Sequence, residues 1–122
     1  MTLSAAASRH PRPPAVAGTF YPGDPAVLAR DVDAALAAVR PAARRAPKAL
    51  IVPHAGYVYS GPIAASAYAC LEPLRATLRR VVLLGPCHRV AVRGLALPVA
   101  DAFDTPLGRV PVDRDAIALL AR

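Results

Sequence analysis

The sequence predicts an α/β fold in which a partial, mostly parallel sheet is flanked by helices. Residues 48–53 (KALIVP) and 80–85 (RVVLLG) are short apolar runs without polar alternation. Such runs are typical of strands that are covered on both faces, as in a parallel sheet. A helix predicted between the two runs completes a right-handed βαβ unit, so we expect the two strands to be neighbours or next but one.

The first helix is predicted from its start signal and its spacing. Asp24 is placed to cap a helix whose first residue is Pro25, a position that suits proline. Apolar residues then recur at helical intervals on one face: Leu28, Val32, Leu36 and Val39. Pro41 is expected to end this helix.

Two more helices are predicted by the same signals. Ser60-Gly61-Pro62 resembles a cap followed by an early proline, and Pro73 is expected to end the helix that begins there. One face of this helix is predicted to carry Ile63, Ala67, Tyr68 and Leu71. Asp113 is placed to cap a third helix in DRDAIALLAR.

Further strands are predicted at 95–99 and 110–112. Residues 1–17 are rich in Ala, Pro and Arg and are predicted to form an extended N-terminal arm. The last predicted helix reaches only about two turns before Arg122. Three or four strands with open edges are unusual for an independent domain. We therefore expect residues 18–122 to be the N-terminal portion of a larger α/β domain.

Composition limits the classes of function. The chain has 122 residues, of which 55% are hydrophobic and 19% are charged, and this balance is typical of a globular protein. Of the 15 basic residues only Lys48 is a lysine; the arginines are scattered and few aromatics lie among them, so the net charge of +7 does not indicate a nucleic-acid partner.

Nothing in the sequence indicates a membrane segment or an export signal. No window approaches the roughly 18 apolar residues of a membrane helix, and Arg9, His10 and Arg12 interrupt the N-terminal region. The two cysteines, Cys70 and Cys87, form no disulfide framework. We predict a cytoplasmic, reducing location.

Two histidines occupy equivalent places in the predicted βαβ unit. His54 follows the first strand directly, and His88 follows the second strand by three residues. Because ligands collect beyond the carboxyl ends of parallel strands, both imidazoles are expected at one edge of the sheet. This placement predicts a metal ligand or acid–base role, although most metal sites need a third protein ligand.

Other interpretations of these residues stay open. A histidine at a strand end is often a capping or partly buried polar residue, and Cys87 beside His88 could be a thiol nucleophile or a third ligand. One of Tyr57 and Tyr59 is expected to face the site, and the sequence does not decide which. Asp101 and Asp104, in VADAFDTPLG, are interpreted as turn residues in preference to metal ligands.

Four segments, in this order and spacing, resemble the start of the Memo family: PPAVAGTFYP, VPHAGYVYSG, LLGPCHRV and DTPLG. Bacterial and archaeal members of this family are named AmmeMemoRadiSam system protein B. The resemblance extends from about Arg12 to the end of the chain, and PHAGY followed by GPxH is quite specific. It implies an α/β fold related to class III extradiol ring-cleaving dioxygenases, with a non-haem metal site, in proteins of about twice this length or more.

The resemblance also implies roles for particular residues. His54 and His88 match the two histidines that the family contributes to its metal-site region, while the third ligand would lie outside this chain. Cys87 stands where the family often has Ser, and Arg89 where it often has a second His. These departures leave both implied ligands in place and alter their surroundings.

The implied function is metal binding, with iron as the first choice and copper or zinc as alternatives. An oxidative reaction of the dioxygenase type would have His54, His88 and Tyr59 as catalytic candidates, and we expect this portion alone to be inactive. Family association implies radical-SAM and AMMECR-like partner proteins and an unidentified small molecule or peptide. The alternative is a non-enzymatic module that binds a peptide or phosphorylated ligand in a vestigial pocket.

Overall fold

The computed structural model describes residues 10–40 and 47–120. Their elements are, in chain order, α1 (Pro25–Ala37), α2 (Tyr57–Tyr68), a 3₁₀ helix (Ala69–Leu74), β1 (Ala102–Thr105), β2 (Gly108–Pro111) and α3 (Arg114–Leu120). The described residues divide into two compact units, one within Val16–Leu83 and one of residues 10–15 with 84–120. The α/β class is confirmed. Residues 1–9 of the predicted arm and the predicted stop at Pro41 lie outside the described residues.

Helix α1 begins as predicted. The Val27 backbone N–H donates to Asp24 Oδ1 at 2.9 Å, and Pro25 is the first helical residue. Leu28 from the predicted apolar face is buried, and α1 packs against α2 within the Val16–Leu83 unit. The helix ends at Ala37, before Val39, the last residue of the predicted stripe.

Helix α2 begins earlier than predicted, at Tyr57, and Gly56 is its N-cap in place of Ser60. Pro62 therefore lies inside the helix, where its missing N–H costs one hydrogen bond to the carbonyl of Val58. The helix also does not stop at Pro73, because a 3₁₀ helix follows it directly and includes that proline.

The buried face of α2 differs from the prediction. Ala65 is buried in α2, and Ala69 and Cys70 are buried in the 3₁₀ helix that follows, whereas Ile63 and Tyr68 are exposed. Position 65 lies about 200° around the α-helix from position 63, nearly the opposite face. The segment YVYSGPIAASAY contains no charged residue, so hydropathy alone cannot indicate which side faces the core.

Strands β1 and β2 form an antiparallel hairpin, with Ala102 opposite Pro111 and Thr105 opposite Gly108. Gly108 has φ +129°, a backbone conformation that residues with a side chain rarely adopt. The hairpin accounts for most of the strand predicted at 110–112. Asp104, which was interpreted as a turn residue, lies in β1 instead.

Two further contacts order this unit. Arg12 forms a parallel bridge with Phe103, in which Arg12 N–H donates to the Ala102 carbonyl and Asp104 N–H to the Arg12 carbonyl, at 2.8 and 2.9 Å. The Ala116 backbone N–H donates to Asp113 Oδ1 at 2.9 Å, as the predicted cap of α3 requires. An N-terminal segment distant in sequence thus extends the hairpin.

The predicted parallel sheet is not observed in the described part of the chain, whose sheet is the two-stranded antiparallel hairpin. Residues 48–53, 80–85 and 95–99 lie outside the strands, and their apolar side chains are largely exposed, for example 99% for Ile51 and 86% for Leu83. A strand is stable only when its backbone groups pair with a neighbour. An apolar run therefore indicates a capacity for pairing without specifying the partner.

Within residues 10–40 and 47–120, the helices are all too short or too polar to cross a lipid bilayer.

The exposed apolar run predicts dye binding and self-association by the 122-residue chain. Val82 and Leu83 are 75% and 86% exposed, and contiguous apolar surface of this kind favours association. We expect the double substitution Val82→Asp/Leu83→Asp to lower both ANS fluorescence and the sedimentation-derived mass. Leu107→Asp, at an exposed leucine of the hairpin turn, is the control that should change neither. A monomeric wild-type chain without ANS binding would contradict this prediction.

The cap of α1 predicts a measurable contribution to stability. Asp24→Ala removes the acceptor of the Val27 N–H, and we expect the free energy of unfolding in urea to fall by about 0.5–2 kcal/mol. Asp31→Ala, at an exposed position within the same helix, removes the same charge without removing a cap. Equal losses in the two variants would show that charge, and not capping, is responsible.

Candidate functional site

The His54 loop, residues 53–56, connects an extended segment to the start of α2. The Ala55 backbone N–H donates to Ser60 Oγ at 2.9 Å, and Ser60 lies in the first turn of the helix. Ser60 is only 5% exposed and is the one buried polar side chain among the described residues. His54 is therefore an exposed residue of a loop whose backbone is fixed by a hydrogen bond to the buried Ser60.

The same loop is held at its other end by the segment GTFYP. The Tyr57 backbone N–H donates to the Phe20 carbonyl at 2.7 Å. A Cβ atom added to Gly56 would lie 3.3 Å from the Phe20 carbonyl oxygen and 3.6 Å from Phe20 Cα. Glycine at position 56 thus allows two backbones to approach closely, and the motifs GTFYP and HAGYVYSG meet here.

Tyr57 and Tyr59 have different surroundings. The Tyr57 ring lies 5.6 Å from the Tyr21 ring, centroid to centroid, at an interplanar angle of 47°. Partial burial, followed by the nearby Tyr21 and Tyr68 hydroxyls, raises the pKa of Tyr57. Tyr59 is 81% exposed. The Tyr57 ring thus packs within the Val16–Leu83 unit. Tyr59 stays the catalytic candidate of the sequence analysis.

His88 belongs to the other unit, where it is exposed in a bend that follows the apolar segment 84–87. Cys87, directly before it, is an exposed free thiol, whereas Cys70 is buried. His54 and His88 are each described within their own unit. Their convergence at one edge of a sheet stays a prediction.

The acidic residues of β1 are arranged as structural partners. Asp104 accepts hydrogen bonds from Arg109 Nε and Nη2 at 2.6 and 3.1 Å, across the hairpin. These bonds are the main reason why the pKa of Asp104 is lowered. Asp101 Oδ1 is buried without a hydrogen-bond partner among the described residues. Arg114 Nη1 donates to the carbonyls of Pro98 and Ala100 at 3.0 and 3.3 Å.

The described residues contain no group of three or more His, Cys, Asp or Glu side chains placed to hold a metal ion. An open groove of about 610 Å³ in the Val16–Leu83 unit does not include His54. It is lined by apolar and charged side chains, among them Leu36, Leu71, Leu78, Asp33, Glu72 and Arg75. His54 stays the candidate ligand that the sequence proposed.

The described residues form a small α/β protein in which a histidine lies just before the start of a helix. Comparison with known proteins identifies its family. Residues 12–122 match the family model described as Memo-like protein. The chain belongs to the Memo family. This confirms the resemblance that the sequence motifs indicated, including its beginning near Arg12.

Individual relatives agree with the family model. The chain is 43% identical over 102 residues to a MEMO1 family protein of Aquifex aeolicus, covering 84% of this chain and 36% of that protein. It is 39% identical over 120 residues to a MEMO1 family protein of Ignicoccus hospitalis, covering 91% and 42%. It is 40% identical over 98 residues to the protein MEMO1 of Xenopus laevis, covering 80% and 32%. The chain thus spans well under half the length of these relatives.

Sequence reasoning missed the residues that hold the His54 loop. Ser60 was interpreted as a helix cap, whereas its hydroxyl accepts from Ala55, and Phe20 was not assigned a role. The neighbouring residues give no signal for this role, because Val58 and Tyr59 are exposed directly before the buried Ser60.

The Asp104–Arg109 pair predicts a pH dependence of the hairpin. Because the folded-state pKa of Asp104 is lowered, the pair stabilises the hairpin above the usual carboxyl pKa, and this contribution is lost as the pH falls through the lowered value. Arg109→Gln should raise the pKa of Asp104, measured by NMR of its carboxyl carbon. An unchanged pKa in this variant would contradict the assignment of Arg109 as the cause.

Proposed function

We propose that this chain supplies two imidazole ligands, His54 and His88, for a first-row divalent metal in a Memo-family protein. Iron is the first choice, with copper or zinc as alternatives. The observation that carries the proposal is the His54 loop, where an exposed imidazole stands on a backbone held by Ser60 and Phe20. A pre-arranged donor of this kind is what a metal site requires.

The donor chemistry fits such a metal. Imidazole nitrogen suits iron, copper and zinc, and two imidazoles leave room for another protein ligand and for a substrate. The described residues hold no three-ligand cluster, so the proposal includes a third ligand from outside this chain. Iron or copper, when bound, would supply redox chemistry to a metal-dependent oxidoreductase that resembles class III extradiol dioxygenases, which zinc would not supply.

The proposal also assigns a role to the exposed apolar runs. In the whole protein, residues 48–53 and 80–85 would be parallel strands covered on both faces, as their composition indicates. The carboxyl ends of these strands would then carry His54 and His88. Support comes from the exposure of these runs here, since apolar surface of this extent is normally covered in a folded protein.

Zinc, a diamagnetic probe for an imidazole site, tests the ligand assignment in the 122-residue chain. We expect the ring resonances of His54 and His88 to shift together in an NMR titration, with one zinc bound per chain and modest affinity. His10, the third histidine, is the internal control and should respond only at higher zinc concentration. Two bound imidazoles contribute less than a complete site, which explains the modest affinity expected.

Single substitutions decide the outcome. His54→Ala should abolish the coordinated shift at His88, and His88→Ala should abolish the shift at His54, because each ligand alone binds zinc weakly. His10→Ala should leave both shifts in place. Independent responses of all three histidines, or persistence of the His88 shift in His54→Ala, would contradict a shared metal.

A further inference from the structure

The peptide planes around His54 are held at two points. A hydrogen bond at Ala55 N–H fixes the plane that joins His54 to Ala55, because a peptide group is rigid. The bond from Tyr57 N–H to the Phe20 carbonyl fixes the plane that joins Gly56 to Tyr57. The first of these bonds lies closer to His54 and has a side-chain acceptor, so a substitution can remove it.

Ser60 is suited to hold this plane. The Ser60 residue is only 5% exposed, so water competes poorly for the hydroxyl that accepts from the Ala55 N–H. Helix α2 anchors it as well, because Ser60 N–H donates to the Gly56 carbonyl at 3.0 Å. The acceptor therefore moves with the first turn of the helix and keeps a fixed relation to the His54 loop.

We infer that Ser60 is the positioning residue of His54: through Ala55 it sets the direction in which the imidazole is presented to a metal. This inference rests on the proposed function and adds a residue that touches neither metal nor substrate. Supporting groups of this kind affect metal affinity because a ligand that must be ordered on binding binds more weakly.

The test compares two serines of the same helix. Ser60→Ala removes the acceptor of the Ala55 N–H. Ser66→Ala is the control: Ser66 lies more than one helical turn after Ser60, and its hydroxyl donates to the Pro62 carbonyl at 3.2 Å. Zinc affinity, read from the His54 ring resonance, should fall about tenfold in Ser60→Ala and stay unchanged in Ser66→Ala. Hydrogen exchange at the Ala55 amide should accelerate only in Ser60→Ala. Ser60→Thr, which keeps the hydroxyl, should retain both the wild-type exchange rate of the Ala55 amide and the wild-type zinc affinity.

The outcomes separate this inference from the proposed function. Loss of zinc binding in His54→Ala together with wild-type affinity in Ser60→Ala would overturn the positioning role alone. Unchanged zinc binding in His54→Ala would overturn the proposed function. An equal loss of affinity in Ser66→Ala would show a general effect on the helix and would also overturn the inference. Should circular dichroism show Ser60→Ala to be unfolded, Ser60→Val carries the comparison against Ser60→Thr, its match in shape, and wild-type zinc affinity with faster Ala55 exchange in Ser60→Val overturns the inference.

Discussion

The close approach of two backbones, at Gly56 and Phe20, is the constraint on which the Val16–Leu83 unit depends. The bond from Tyr57 N–H to the Phe20 carbonyl, 2.7 Å long, joins the loop that precedes α1 to the loop that precedes α2. Both helices begin within a few residues of this contact, at Pro25 and Tyr57. Their packing therefore follows from where the two loops meet. The same contact sets the end of the His54 loop, so fold and candidate site share one constraint.

The core of this unit is built from small side chains, which makes the polar contacts important. Leu28, Ala65, Ala69 and Cys70 are its buried apolar residues among those described. Alanine buries little apolar surface, and each Å² contributes only about 25 cal/mol. Directional bonds such as the Asp24 cap and the Ala55–Ser60 bond must therefore specify the geometry that a core of larger side chains would otherwise impose.

Sequence predicted those features whose partners lie nearby in the chain. Asp24 and Asp113 were identified as caps because each bonds to a backbone N–H three residues later. The predicted start of α2 was wrong because the N-cap Gly56 contacts Phe20, which is far away in sequence. The strands predicted at 48–53 and 80–85 need partner strands, and a local sequence pattern does not identify those partners. For the candidate site, the choice of His54 and His88 came from their places after the two apolar runs and then from the family motifs that contain them. The supporting Ser60 was missed because a serine before Gly-Pro resembles a cap.

The two proposed ligands differ in the local structure of the chain that leads to them. The His54 backbone is held on both sides by hydrogen bonds to Ser60 and Phe20. His88 instead follows an exposed apolar segment outside any strand, in which Leu84 is 75% exposed. Fixing the backbone of a residue costs about 1–2 kcal/mol, and the bonds to Ser60 and Phe20 offset part of this cost for the His54 loop. If residues 80–85 pair as the strand that we propose for the whole protein, that pairing would hold the backbone leading to His88 and so link completion of the sheet to the affinity of the site.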